Sequence, residues 1–204
     1  MSRAGRPKNQ TARREALVTA AGRAIAERGL EGLRIKDIAA EAGMSAGSVL
    51  YYYPELDDLV LEVHRGAVED FLTARQKATD AESAEPVRRL RALIDSGLPA
   101  GPEDTLHGLL YELHRRADRS PGHATLMESL FAREVGLYAL VLEVGAATGA
   151  FTLVGPAGDL ARNMVALEDG HGLHIVSRNA GLRPEEARRL ILAHARLVTG
   201  CADL

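Results

Sequence analysis

The sequence predicts an all-α protein of about nine helices, three in an N-terminal head and the others in a larger helical domain. Apolar residues recur at intervals of three and four positions along most of the chain, which is the spacing of a helix with one buried face. Gly and Pro separate these segments at short connections. No segment has the alternation of a convincing strand, and residues 151–154 are predicted to be a connection.

The first helix is predicted over residues 13–28. Gly29 follows its last turn, where glycine ends a helix without strain. Its inner stripe consists of Ala16, Leu17, Ala20, Ala21, Ala24 and Ile25. The preceding residues 2–14 carry five basic side chains together with Gly5 and Pro7, so we expect this segment to be disordered in isolation.

Two short helices joined by a tight turn are predicted over residues 35–54. Gly43 lies where the first of them stops and the chain reverses, and the left-handed backbone expected there favours glycine. Ser45 is the predicted cap of the second helix, and Val49 and Leu50 are assigned to its inward side. Its outward side consists of Ala46, Gly47, Ser48, Tyr51 and Tyr52. This spacing is typical of a helix-turn-helix, whose second helix is slender enough to enter a DNA major groove. Two helices around a glycine turn also occur in ordinary helical bundles.

The context of this motif resembles the TetR family of transcriptional regulators. A long amphipathic helix precedes it and a tyrosine triplet closes it, followed at once by proline. The family usually has Ser, a variable residue, Gly, Ser or Thr, two apolar or aromatic residues, two ring residues, then Phe or Tyr and often Pro. The corresponding residues here are Ser45, Ala46, Gly47, Ser48, Val49, Leu50, Tyr51, Tyr52, Tyr53 and Pro54. The resemblance covers about residues 12–60 and implies a homodimer that binds operator DNA and responds to a small molecule, most often as a repressor.

The chain departs from the family pattern at two positions. Arg34 stands where relatives place a capping Thr or Ser, so the helix that follows is expected to be less well capped. Leu56 stands where relatives commonly carry a lysine that contacts DNA phosphate. The contacts with phosphate are therefore expected elsewhere, at Lys36, Tyr52 and Tyr53. Ser45, Ala46, Gly47, Ser48 and Tyr51 are expected to lie in the major groove.

The basic terminal segment has two interpretations. Arg3, Arg6 and Lys8 resemble an arm that enters a narrow minor groove, and the alternative is an ordinary frayed terminus. Through Tyr53 the chain has nine Lys or Arg and five Asp or Glu, a charge of +4, whereas the remainder has 16 basic and 23 acidic residues, a charge of −7. A basic N-terminal domain joined to an acidic larger domain is the charge distribution expected when the N-terminal domain binds nucleic acid.

Two domains are expected, a DNA-binding domain over residues 1–54 and a ligand-binding and dimerisation domain over residues 55–204. Helices in the second domain are predicted over residues 55–78, 86–97, 103–119, 122–147, 157–178 and 184–199. An effector site in the segment 55–150 is a prediction that rests on its mixture of rings and polar groups. The candidates are Phe71, His107, Tyr111, His114, Met127, Phe131 and Tyr138. Because few cationic residues lie on these faces, we expect a neutral or weakly polar organic ligand; the alternative is that these side chains fill an ordinary core.

The last two helices are expected to pair with their copies in a homodimer, as the family resemblance implies. The predicted interface residues are Leu167, Gly170, His174, Leu190, His194 and Leu197. The alternative is that both apolar stripes pack within the monomer. His171 and His174 would be two ligands of a metal, but a third does not share their face, so no metal site is predicted.

No catalytic constellation and no cofactor are predicted, since the sequence has no P-loop, no HExxH motif and no nucleophile elbow. Cys201 is the only cysteine, and no apolar run approaches the length of a membrane span, so a cytoplasmic protein without a membrane partner is expected. Two hypotheses remain. The first is a ligand-responsive DNA-binding regulator, and the second is an all-helical interaction or enzyme-like domain without specific DNA binding.

Overall fold

The computed structural model describes residues 6–82 and 85–204, of which residues 6–9 are described by their backbone alone. The described residues form nine α-helices and no strand, which confirms the all-α prediction. The helices are α1 (Arg6–Arg28), α2 (Ile35–Glu41), α3 (Ala46–Tyr52), α4 (Leu56–Ala81), α5 (Pro86–Gly97), α6 (Thr105–His114), α7 (Pro121–Ala147), α8 (Ala157–Val176) and α9 (Pro184–Thr199).

Helix α1 starts earlier than the sequence predicted. It begins at Arg6 and not at residue 13, so the expected disorder is corrected for residues 6–14. Pro7 occupies the first turn, where its fixed φ suits a helix and its missing N–H costs nothing. The helix ends as predicted, because Gly29 has a φ of 72° and its N–H donates to the carbonyl of Ile25. Arg3 lies outside the described residues.

Helix α6 is shorter than predicted and ends at His114. The residues that follow form turns in which the N–H groups of Arg116 and Ala117 donate to carbonyls three residues earlier. Ser120 precedes Pro121, and a residue before proline is disfavoured in the helical conformation. The long helix predicted over residues 103–119 is therefore interrupted before α7 begins.

The first of two compact units consists of Met1–Ala67 and Leu109–Leu126. Its core is apolar and rich in small side chains, which lets short helices cross closely. The fully or almost fully buried members are Leu17, Ala20, Ala21, Ala24, Ile25, Leu33, Ile38, Ala39, Val49, Tyr53, Leu59, Val60, Val63 and Leu113.

The second compact unit consists of Val68–Gly108 and Met127–Leu204. Its larger core is built around Leu90, Leu93, Tyr138, Met164 and Ile191. Residues 151–154 form a connection, as predicted, although the N–H of Thr152 donates to the carbonyl of Thr199 at 2.7 Å. Among the residues described, no helix combines the length and the apolar composition needed to cross a membrane. The functional boundary between residues 54 and 55 stays a prediction.

Candidate nucleic-acid interface

The turn between α2 and α3 has the predicted geometry. Gly43 has a φ of 62°, the left-handed conformation expected from its position. Arg34 precedes α2 and provides no side-chain cap, as predicted, because a guanidinium group has no acceptor atom. Asp37 compensates in part, since its carboxylate accepts the backbone N–H of Arg34 at 3.1 Å and lies 3.3 Å from Arg28.

Ser45 caps helix α3. Its Oγ accepts the backbone N–H of Ser48 at 3.1 Å, which satisfies a donor that the first helical turn cannot. The two serine hydroxyl oxygens also lie 2.9 Å apart, within hydrogen-bond distance. Val49 is fully buried in the core of the first unit and fixes which side of α3 faces inward. The predicted cap and the inward position of Val49 are confirmed.

The opposite side of α3 is open to solvent. Tyr51 is 71% exposed, and Ala46 and Gly47 are exposed as well. Leu50 is 45% exposed, so its assignment to the inward side is wrong. A helix of only seven residues buries a narrow face, and Val49 is the residue of α3 that is buried on that face. The outward surface of α3 therefore includes a large apolar side chain that the sequence interpretation placed in the core.

The tyrosine triplet divides between surface and core. Tyr52 is half-buried and its ring meets that of Tyr51 edge to face, with centroids 5.1 Å apart. Tyr53 is only 4% exposed, which corrects its predicted place on the DNA-facing surface. The guanidinium of Arg14 lies 4.9 Å from the Tyr53 ring centroid, and burial raises the pKa of the Tyr53 hydroxyl although Arg14 opposes the shift.

Arg14 was missed as a residue that supports this surface. It donates to the backbone carbonyl of Tyr52 at 3.0 Å and so ties α1 to the end of α3. No sequence pattern links positions that far apart. Of the predicted phosphate ligands, Lys36 is exposed. Arg6 and Lys8 lie in the helical backbone of α1, and their side chains are not described.

The predicted effector residues fall in both units. In the second unit Phe71 and His107 meet edge to face, with centroids 5.3 Å apart, and Tyr138 is fully buried. Met127 is half-buried and Phe131 is exposed. In the first unit Tyr111 is half-buried and His114 is exposed. The joint effector site stays a prediction.

A buried charged cluster in the second unit was not predicted. The guanidinium of Arg75 donates to Glu168 at 3.0 Å and lies over the rings of Phe71 and Tyr138, at 5.2 and 5.6 Å from their centroids. The Tyr138 hydroxyl donates to the other carboxylate oxygen of Glu168. Gly97 is required beside this pair, because a Cβ there would lie 1.9 Å from Arg75 Nη1 and 2.0 Å from Glu168 Oε1.

The cluster contains one guanidinium and two buried carboxyl groups. Burial raises the pKa of Glu168 and that of Tyr138, against the opposing effect of Arg75. Burial also raises the pKa of Glu134 to about 8. Burial alone would lower the pKa of Arg75, but Glu168 outweighs it and the guanidinium stays charged. Burial therefore favours the protonated form of Glu134 in this cluster.

A surface groove of about 590 Å³ lies in the second unit. Residues of α4 and α7 line it, namely Leu72, Thr73, Gln76, Lys77, Arg133, Gly136, Leu137 and Leu140. None of the predicted effector residues is among them. Two cationic side chains, Lys77 and Arg133, lie on the walls of this groove.

A buried histidine pair lies in the first unit and was also missed. His64 Nδ1 and His123 Nδ1 lie 2.7 Å apart, and both residues are almost fully buried. Burial, with His123 and His114, lowers the pKa of His64 to about 4. Burial and the charge of Arg116 lower the pKa of His123. Both rings are therefore neutral at pH 7, and one N–H donates to the other ring.

The predicted dimer residues lie on the outer side of α8 and α9. Leu197 is 75% exposed, Leu190, Gly170 and His174 are exposed, and His194 and Leu167 are half-buried. The apolar stripe of α9 thus divides in two. Its inner part packs in the core of the second unit and consists of Ala187, Ile191, Ala195 and Val198.

Within the residues described, no group of three or more His, Cys, Asp or Glu side chains is placed to hold a metal ion. Burial lowers the pKa of His171, and His174 lowers it further, so the His171 ring is held neutral at pH 7.

Comparison with known proteins agrees with the head geometry. A model of bacterial regulatory proteins of the tetR family matches residues 17–63. The repressor KstR2 of Mycobacterium tuberculosis is 27% identical over 139 residues, which are 68% of this chain and 69% of that protein.

Two solved structures match almost the whole chain. A transcriptional regulator from Saccharomonospora viridis, in complex with choline, is 26% identical with a TM-score of 0.83 and covers 91% of this chain and 96% of its own. A TetR regulator from Haloarcula marismortui is also 26% identical with a TM-score of 0.83 and covers 93% of this chain and 99% of its own. The predicted resemblance to the TetR family of transcriptional regulators is therefore confirmed, by the family model over the helix-turn-helix and by the all-α fold of the solved relatives.

Proposed function

We propose that the protein is a homodimeric repressor that binds operator DNA through α3 and leaves it when a small molecule binds. The observation that carries this proposal is the exposed, Ser45-capped side of α3, which presents Ala46, Gly47 and Tyr51 to solvent. A short helix with small side chains on its outer side fits a major groove. In this proposal Ser45 and Ser48 lie close to the base edges as well.

Phosphate contacts would hold the head in register on the duplex. Lys36 is exposed on α2, and Tyr52 is half-buried next to Tyr51. Arg3, Arg6 and Lys8 add positive charge at the terminus. Such contacts carry affinity and little sequence information. Because they release counterions, affinity is expected to fall steeply as the salt concentration rises.

Dimerisation would use the outer sides of α8 and α9. Leu190 and Leu197 lie two turns apart on α9, and Leu173 on α8 is exposed as well. Exposed leucines in a row are costly in water, and a second copy of the same surface would cover them symmetrically. The two helix-turn-helix domains of the dimer would then bind a near-palindromic operator. Their recognition helices would lie about 34 Å apart, which is one turn of B-DNA.

The effector is proposed to bind in the helical body, where Phe71, His107 and Tyr138 supply rings and polar atoms within the second unit. Met127, Phe131, Tyr111 and His114 remain candidates for further contacts. The Saccharomonospora viridis regulator was solved in complex with choline, so choline is the first probe for this chain. To release DNA, an effector must bind the DNA-incompetent state more tightly than the DNA-bound state.

The test is selection of duplexes from a random-sequence library with the full chain, followed by fluorescence anisotropy on the recovered duplex over a salt series. We expect a preferred near-palindrome and a steep loss of affinity with salt. Removal of residues 2–8 is expected to flatten the salt dependence, because it deletes three cationic side chains. Tyr51→Ala is expected to reduce sequence discrimination, whereas Leu140→Ala, which removes an exposed apolar side chain in the second unit, serves as the control. Recovery of no preferred sequence would overturn the proposal.

The effector response is measured on the same complex by adding choline. Release of the duplex from the wild-type chain supports effector control, and an unchanged complex at saturating choline removes choline as the effector. Tyr111→Phe is expected to weaken the release and to leave the affinity of the free protein for DNA unchanged. A normal response of this variant would remove Tyr111 from the site.

A further inference from the structure

The recognition helix α3 lacks the side chains that usually read bases. Between Ala46 and Tyr52 it has no Arg, Lys, Asn, Gln, Asp or Glu, and these types make the common hydrogen-bonded contacts to base edges. Ser45 and Ser48 have hydroxyl oxygens 2.9 Å apart, and Ser45 Oγ also caps the helix. One serine hydroxyl therefore donates to the other, which leaves a single serine O–H for a base edge.

The outer side of α3 is instead apolar along one line. Leu50 is 45% exposed, and Ala46, one turn earlier on the same side, is exposed as well. The core of the first unit does not need Leu50, since the neighbouring Val49 is fully buried in it. A large apolar side chain in water at the centre of a DNA-reading surface gains free energy if the DNA covers it.

We propose that Leu50, with Ala46 beside it, reads the operator by contact with the C5-methyl groups of thymines in the major groove. Thymine is the base that presents a methyl group there, so an apolar side chain distinguishes it from cytosine and from both purines. The proposal rests on the proposed function, in which α3 enters the major groove. It implies operator half-sites with thymines at the positions that face Leu50.

The test compares thymine with uracil in the same duplex, because deoxyuridine lacks only the methyl group. The duplex recovered by selection is resynthesised with deoxyuridine at single thymine positions, and the dissociation constant is measured by anisotropy at one salt concentration. Each methyl group that the protein covers is expected to be worth about a fourfold change in affinity, equivalent to about 0.8 kcal/mol. The loss is expected at one or two positions in each half-site.

A second measurement ties the effect to Leu50. Leu50→Ala is expected to weaken binding to the thymine duplex severalfold and to cause little further loss on the duplex with uracil at the sensitive position. Leu140→Ala is the matched control, since Leu140 is an exposed leucine on α7 in the second unit. It is expected to leave both affinities unchanged.

The outcomes separate the two proposals. Selection without any preferred sequence overturns the proposed function and this inference with it. A preferred sequence that binds equally well with uracil at every thymine overturns the inference alone, and this measurement needs no variant to fold. Equal loss on the thymine and uracil duplexes for Leu50→Ala also overturns it, and would place Leu50 against the sugar-phosphate backbone.

Discussion

The two compact units bury different kinds of polar group. The first unit, whose core is apolar, buries a pair of neutral histidines, His64 and His123. The second buries an ion pair, Arg75 and Glu168, with Tyr138 donating to the same carboxylate. A neutral pair costs less to bury than a charged one, whereas an ion pair must be complete to be tolerated. The first unit is therefore expected to be sensitive to acid and the second to the loss of either charged partner.

The largest expected effect is that of Arg75→Ala in the second unit. It leaves Glu168 buried without its cation, and breaking such a pair typically costs about 3–5 kcal/mol. The free energy of unfolding is measured by urea denaturation at one protein concentration. Arg133→Ala is the control, since its partner Glu69 is exposed and exposed pairs contribute less than about 1 kcal/mol. Equal losses for the two variants would show that the buried ion pair contributes no more to the free energy of unfolding than the exposed pair does.

The second-largest effect is expected on dimerisation, from substitution of the exposed leucines of the second unit. Leu197→Glu would place a charge in the proposed dimer interface without a partner, and we expect dimerisation to weaken by at least about a hundredfold. Sedimentation equilibrium measures the change. Leu140→Glu is the control, because Leu140 is 56% exposed on α7 and outside the proposed interface. An intact dimer for both Leu197→Glu and Leu190→Glu would place the interface elsewhere.

The neutral histidine pair of the first unit is tested by pH. The pKa of His64 is about 4 in the folded chain, below its ordinary value of 6.5, so the unfolded chain takes up a proton first as the pH falls. The free energy of unfolding therefore decreases between pH 6.5 and 4, by at most about 1.4 kcal/mol per pH unit for this proton.

The double substitution His64→Leu with His123→Leu removes this term, while His114, Arg116 and Asp57 around the pair remain. The stability of the variant is expected to depend less on pH in that window. Parallel curves for the variant and the wild type would show that the pair does not titrate as its burial predicts.

The smallest effects concern helix caps, one in each unit. Ser45→Ala removes the cap of α3 and Glu85→Ala removes that of α5, where the carboxylate accepts the N–H groups of Val87 and Arg88 at 3.0 Å. Each is expected to cost about 1 kcal/mol, measured by thermal unfolding. Ser177→Ala, at an exposed position after α8, is the control. A much larger loss of stability for one of the two variants would mean that a capping hydrogen bond contributes differently to the stability of the two units.

Local signals in the sequence were sufficient for most of the fold. The Ser45 cap, the left-handed Gly43 and the helical spacing of apolar residues each depend on neighbours within one or two turns. The nine described helices, the position of α3 and the inward place of Val49 could therefore be predicted. The start of α1 and the end of α6 were misjudged, because the first turn of α1 and the turns after α6 depend on proline.

Only the tertiary structure decided which apolar and charged side chains face inward. The periodicity of apolar residues identifies the apolar face of a helix, but not which residues of that face another helix covers. Leu50 and Leu197 are therefore exposed, whereas Val49 and Ile191 are buried. The pairing of Arg75 with Glu168 joins residues 93 positions apart, and that of Arg14 with the end of α3 joins residues 38 apart. Such contacts depend on which helices pack together, and no local pattern in the chain specifies that.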